Sequence, residues 1–165
     1  MKTHFAMMAR YNAWANARLY AAARSLPDAA YRKNVGAFFG SLHGTLNHLL
    51  VGDRIWMRRL TGAGEHPDRL DAILFDDLAL LEQARVREDE RILRYVDRLR
   101  KDDFDQEVGY ATTKGVAQRT RRGEILAHLF NHETHHRGQA HAILTLLGIK
   151  EPQPLDLIAM LREKR

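Results

Sequence analysis

The chain alternates between long segments with helical periodicity and short polar or glycine-containing breaks. In four segments apolar residues recur every three or four positions, which is the spacing of one face of an α-helix. We predict helices at about 3–26, 42–60, 77–101 and 122–147, then a short helix at about 155–161. Residues 104–120 lose this period, which predicts an extended loop or a short hairpin.

The residues between these segments are typical helix ends. Pro27 stops the first helix, the sequence at 61–64 closes the second, and Gly148 ends the fourth. Asp76 or Asp77 is placed to cap the third helix. Four long helices over residues 1–165 predict a single all-α domain, a four-helix bundle with a short C-terminal helix. The link between helices two and three, about 15 residues, is long for antiparallel neighbours and predicts a crossover.

Composition then restricts the chemistry. The 165 residues include nine histidines and no cysteine. A chain without cysteine has no disulfide, thiolate zinc site, iron–sulfur cluster or cysteine nucleophile, so any metal must be held by His, Asp or Glu. Apolar runs are far shorter than a membrane span, and the N-terminus lacks the features of a secretory signal. We therefore expect a cytoplasmic protein without a membrane partner.

The net charge of +5 raises the question of a nucleic-acid partner. The densest basic patch is Arg119, Arg121 and Arg122, and Arg58 with Arg59 forms a smaller one. Neither has interleaved exposed aromatic residues or a nucleic-acid motif. We interpret both as solvated surface and expect no nucleic-acid partner.

The fourth predicted helix carries five of the nine histidines. On a helical wheel His132 and His136, one turn apart, lie at or inside the apolar arc. This i, i+4 spacing lets two imidazoles chelate one ion, although two buried histidines could also be satisfied by hydrogen bonds. We favour a metal. Three histidines fall outside the arc: His128, His135 and His141.

Polar residues also occur on apolar faces of the first two helices. In the second helix the wheel does not choose between His43 and His48, and Asp53 lies in the main apolar face. Asn12 and Asn16 lie on the apolar stripe of the first helix. They are either structural hydrogen-bonding groups or neighbours of a functional site.

The first helix has a second apolar strip, formed by Met7, Tyr11 and Trp14. An apolar strip outside the main core needs a cover. Either a long loop of this chain or another subunit could supply it, so a homodimer is a reasonable hypothesis.

Three motifs together resemble the DinB family of bacterial damage-inducible, metal-binding four-helix bundles. They are the sequence YNAWAN at 11–16, His48 followed by Asp53 and Trp56, and the sequence HETHHRGQ at 132–139. The match covers nearly the whole chain in order and spacing, and the HHRGQ stretch is its most specific part.

The resemblance implies a bundle with a crossover, often dimeric, and a metal held by His48, His132 and His136. It thereby chooses His48 over His43. Three histidines leave a position for water, as in catalytic sites, and imidazole ligands suit zinc or nickel. Relatives of the family include metal-dependent thiol transferases and isomerases. This implies a small-molecule substrate, a low-molecular-weight thiol. From their positions on apolar helix faces, Asn12, Asn16 and Asp53 are candidates to support the ligands.

Two other interpretations stay open. Residues 132–136 also match H-E-x-x-H, the zinc peptidase pattern in which the glutamate, here Glu133, is the general base. The extended form of that motif is absent, because Gln139 and Ala142 stand where it needs glycine and histidine. Glu133 is a candidate catalytic residue, or else it forms a salt bridge to an arginine inside the bundle. The metal could also be structural or sensory in a protein that acts by binding, and a fourth protein ligand would favour that.

Overall fold

The structure, a computed structural model, describes residues 1–163 and is mostly helical, as predicted. Of these residues, none lies in a helix long and apolar enough to cross a membrane. The helices are α1 Lys2–Arg24, α2 Asp28–Tyr31, α3 Leu42–Thr61, α4 Leu78–Arg98, α5 Arg122–Leu146 and α6 Leu157–Glu163. A 3₁₀-helix at Lys101–Asp105 precedes the strands β1 Glu107–Ala111 and β2 Ala117–Arg121.

The predicted helix ends are close to the observed ones. Asp77 caps α4, since its side chain accepts the backbone N–H of Leu80 at 2.8 Å. Gly62 and Gly148 both have left-handed backbone angles, with φ of 73° and 96°. The α1 helix ends two residues before the predicted position 26, and α6 starts two residues after the predicted position 155. The short α2 was not predicted, because four residues show no helical period.

Residues 104–120 contain a hairpin, one of the two predicted alternatives. The strands β1 and β2 are antiparallel, with Glu107 opposite Arg121 and Ala111 opposite Ala117. The ring of Tyr110 in β1 meets that of Trp56 in α3, with ring centroids 5.4 Å apart. The hairpin therefore lies against the outer side of α3, and β2 runs directly into α5.

The connection between α3 and α4 is a crossover, as predicted. Leu46 and Leu81, from the starts of these helices, belong to one buried apolar cluster. Met57 and Val96, from their second halves, belong to another. The two helices are therefore parallel, and residues 62–77 return along the length of the bundle. The α1 helix packs on α4 and α5, while α3 packs on the same two helices from the other side.

The second apolar strip of α1 is covered by the C-terminal segment of the same chain. Tyr11 and Met160 are buried together, with Trp14 and Leu157 packed against them. The Tyr11 hydroxyl donates a hydrogen bond to the carbonyl oxygen of Leu155 at 2.7 Å. The homodimer stays a prediction, and this strip no longer argues for it.

Candidate metal centre

The structure brings together three of the nine histidines, His48 from α3 and both His132 and His136 from α5. One ring nitrogen of each lies within 4.8 Å of the other two. The Nε2 atoms of His48 and His132 are 3.1 Å apart, and the ring centroids of His132 and His136 are 4.4 Å apart. His43 does not join them, since its Nε2 lies 3.3 Å from the carbonyl oxygen of Phe75.

Hydrogen bonds fix the orientation of two of these rings. His48 Nδ1 lies 2.7 Å from the carbonyl oxygen of Leu70, so Nδ1–H donates and Nε2 keeps its lone pair. His136 Nδ1 lies 2.8 Å from Oε1 of Gln139, whose Nε2 is 2.9 Å from Nε2 of His135. Outer hydrogen bonds of this kind set the tautomer and direction of metal-binding histidines. The Leu70 carbonyl has no signature in the sequence.

The three imidazoles are neutral at pH 7. Burial, together with neighbouring histidines, lowers the pKa of His48 to about 4 and that of His132 to about 3. Burial also lowers the pKa of His136. Neutral imidazole is the form that binds a metal ion.

The donor atoms fit a small divalent ion. Zinc–nitrogen bonds of about 2.0–2.1 Å place two tetrahedral ligands about 3.3 Å apart. The 3.1 Å between the His48 and His132 nitrogens is close to that value. In the part of the chain that the structure describes, no other His, Asp or Glu joins the group. Three protein ligands and a vacant fourth position are typical of catalytic zinc sites.

The surroundings of the group differ between its two sides. The ring of Phe39 stacks on that of His48, with centroids 3.8 Å apart, and covers one side. Away from Phe39, which is not part of its wall, His48 and His132 line a cavity of about 420 Å³. The wall of that cavity includes Trp56 from α3 and Tyr110 from the hairpin.

Gly52 makes room for the ring of His132. The sequence did not predict this role of Gly52. A Cβ atom at Gly52 would lie only 2.7 Å from Cε1 and 3.2 Å from Nδ1 of His132. We expect Gly52→Ala to displace this ring and to lower zinc affinity about 10–100-fold, the range seen when an orienting partner is lost. Competition with a fluorescent chelator measures it.

Gly138→Ala is the matched control for Gly52→Ala. Gly138 lies in α5, between His136 and Gln139, and an added Cβ there meets no atom of the described residues within 4 Å. Its zinc affinity should equal that of the wild type. Equal affinities in both alanine variants would refute the role given to Gly52.

The other predicted site residues lie in a buried polar layer across the middle of the bundle. The layer joins the four long helices and lies between the two apolar clusters. Its members are all buried: Asn12, Asn16, Asp53, Arg85, Asp89, Glu133 and Arg137.

Two arginines hold this layer together. Arg137 donates to Asn12 and, at 3.0 Å, to Oε2 of Glu133. Arg85 NH2 lies 2.7 Å from Oδ2 of Asp53 and 3.0 Å from Oδ1 of Asp89, as ion pairs not aligned as hydrogen bonds. These contacts link every long helix of the bundle to at least one other.

Charge in the layer points to a protonated carboxyl group. Two guanidinium groups face three carboxyl groups, and burial raises the pKa of both Asp53 and Glu133. Among residues 1–163, no group donates a hydrogen bond to either oxygen of Asp53 or to Oε1 of Glu133. One proton held between these two side chains would satisfy an orphaned oxygen and balance the charges of the layer.

The site residues predicted from the sequence fall into two sets: the three histidines that lie together, and the residues that belong to the polar layer. The hydrogen bonds to the rings of His48 and His136 come from Leu70 and Gln139, not from the predicted supporting residues Asn12, Asn16 and Asp53. Glu133 has no exposed surface and does not line the cavity beside His132. Its salt bridge to Arg137 matches the structural alternative that the sequence left open.

Comparison with known proteins identifies relatives of the whole chain. A family model described as the DinB family matches residues 1–163. Protein DinB from Bacillus subtilis (strain 168) is 24% identical over 151 residues, which span 84% of this chain and 83% of that protein. The similarity therefore extends over the bundle and includes both helices that carry the three histidines.

Proposed function

The chain belongs to the DinB family, and from that premise we propose that it is a metal-dependent enzyme that transfers or isomerises small electrophiles with a low-molecular-weight thiol. His48, His132 and His136 would hold one zinc or nickel ion. One observation carries the proposal: three neutral imidazoles converge beside a cavity, with no fourth ligand among residues 1–163.

The open side of the group favours catalysis over a structural role. A structural zinc site is closed by four protein ligands, whereas a catalytic site leaves a position for substrate. Here two of the three histidines form part of a cavity wall. A purely structural ion would also duplicate the polar layer, which already joins α3 to α5 through Asp53, Arg85 and their neighbours.

The chemistry assigned to this site needs a thiol from outside the protein, because the chain contains no cysteine. A bound divalent ion would lower the pKa of that thiol so that it reacts as a thiolate. The protein's own contribution is to hold three ligands in fixed directions through Leu70 and Gln139. Phe39 excludes water from one face of His48.

In the H-E-x-x-H peptidase interpretation Glu133 would be the general base, but it is not placed for that role. Such an enzyme needs the glutamate to face the water at the metal. Glu133 instead accepts a hydrogen bond from Arg137 inside the polar layer and has no exposed surface. We therefore do not propose peptide hydrolysis.

Thermal stability in the presence of thiols tests the proposed function. Zinc-loaded protein is heated with cysteine, glutathione or 2-mercaptoethanol at about 100 times the dissociation constant. Ligand binding at that ratio contributes about 2.7 kcal/mol, which corresponds to about 5–10 °C in Tm for a chain of this size. We expect this increase for at least one thiol.

The controls are the S-methyl thioether of each thiol and the metal-free protein. Neither should raise Tm, since a thioether forms no thiolate and the metal-free protein lacks the proposed ligand position. No increase with any thiol, or the same increase with the thioethers, would contradict the thiol-dependent reaction.

A further inference from the structure

The cavity beside the three histidines has a mainly uncharged wall. Its apolar part comes from Ile55, Trp56 and Leu70, and its polar part from residues such as Tyr110 and Thr112. The wall also includes the rings of His48, His128 and His132. Among the described residues that line the cavity, Arg59 is the only Lys, Arg, Asp or Glu.

Arg59 has no anionic partner among residues 1–163. Its guanidinium carbon lies 4.5 Å from the ring centroid of Trp56 and 4.9 Å from that of Tyr110. No carboxylate of the described residues forms a salt bridge with it, and its buried Nε has no hydrogen-bond acceptor. Its neighbour Arg58 is exposed, so only Arg58 fits the solvated surface predicted for this pair.

An unpaired and partly buried guanidinium is unusual in a folded protein. Nearby arginines show the common pattern, since Arg54 pairs with Glu65 and Arg85 pairs with Asp53. Two aromatic rings hold the Arg59 side chain in place, and stacking of this kind leaves the edge of the guanidinium group free to donate hydrogen bonds. The edge of a fixed guanidinium fits a carboxylate, which accepts two parallel hydrogen bonds.

We propose that Arg59 binds a carboxylate group of a small ligand whose apolar part contacts Trp56 and Ile55. One positive charge in the wall matches one negative charge on the ligand. Arg59, His48 and His132 line the same cavity, so one molecule can contact the arginine and the histidine group together. That this ligand is the enzyme's substrate rests on the proposed function.

The test compares benzoate with benzamide, two probes of the same shape that differ in charge. Isothermal titration calorimetry is performed on the 165-residue protein as purified, for the wild type, Arg59→Gln and Arg58→Gln. Arg58→Gln removes the same charge one residue away, from an exposed position. We expect the wild type and Arg58→Gln to bind benzoate about 10-fold or more tightly than benzamide, and Arg59→Gln to show no preference.

Absence of a preference in the wild type would overturn the proposal. So would a preference that survives in Arg59→Gln or disappears equally in Arg58→Gln. Zinc uptake by the same samples reports on the metal centre separately. A benzoate preference without zinc uptake supports the role of Arg59 and contradicts the proposed function. Zinc uptake without a benzoate preference supports the metal centre and contradicts the role of Arg59.

Discussion

Replacement of His132 by alanine is expected to lower the affinity for zinc or nickel by at least about 100-fold. Loss of a partner that only orients a ligand costs about 10–100-fold, and removal of the ligand itself should cost no less. His132 lies next to both other ligands, since its Nε2 is 3.1 Å from Nε2 of His48 and its ring centroid is 4.4 Å from that of His136. Competition with a chelator and metal analysis after gel filtration measure the loss.

His128→Ala is the control for this prediction. His128 lies one turn before His132 on α5, and it is exposed and outside the three-histidine group. Its removal should leave metal affinity and stoichiometry at the wild-type values. Wild-type affinity in His132→Ala, or an equal loss in His128→Ala, would contradict the assignment of the ligands.

Replacement of Arg85 by methionine is expected to destabilise the fold by about 3–5 kcal/mol, the cost of breaking a buried ion pair on one side. Methionine is of similar length, so lost charge rather than lost volume dominates. Asp53 and Asp89 would remain buried without their shared cation. Since small proteins have only about 5–15 kcal/mol of stability, this is a large fraction. Urea denaturation followed by circular dichroism measures it.

Arg87→Met provides the matched comparison for Arg85→Met. Arg87 is on the same helix, two residues away, and is exposed. Its substitution should change the free energy of unfolding by no more than about 0.5 kcal/mol. A cost below about 1 kcal/mol for Arg85→Met would show that the polar layer does not depend on its central cation.

The features that sequence alone predicts are those set by local periodicity and spacing. The i, i+4 pair His132 and His136 needs only one helical turn to bring its rings to one face. The crossover follows from the length of the segment at 62–77. In both cases a pattern within one short stretch of sequence is enough to predict the structural feature, and the structure contains that feature.

The features that were not predicted depend on contacts between distant helices. On α4, Arg85 and Asp89 have the spacing of an ordinary exposed i, i+4 pair, and only packing against Asp53 and Asn12 shows that they are buried. Gly52 has no local signal, because its importance lies in the position of His132 on another helix. Glu133 was visible as part of a motif, but its direction relative to the cavity depends on Arg137 and the layer.

X-ray absorption spectroscopy of the zinc- or nickel-loaded protein tests the central claim most directly. The metal's extended fine structure reports the number and type of ligand atoms, and imidazole gives a characteristic multiple-scattering pattern. We predict one metal ion per chain with three imidazole nitrogens, lost in a variant that lacks His48, His132 and His136. A shell of oxygen ligands without imidazole scattering, or protein that takes up no metal, would contradict it.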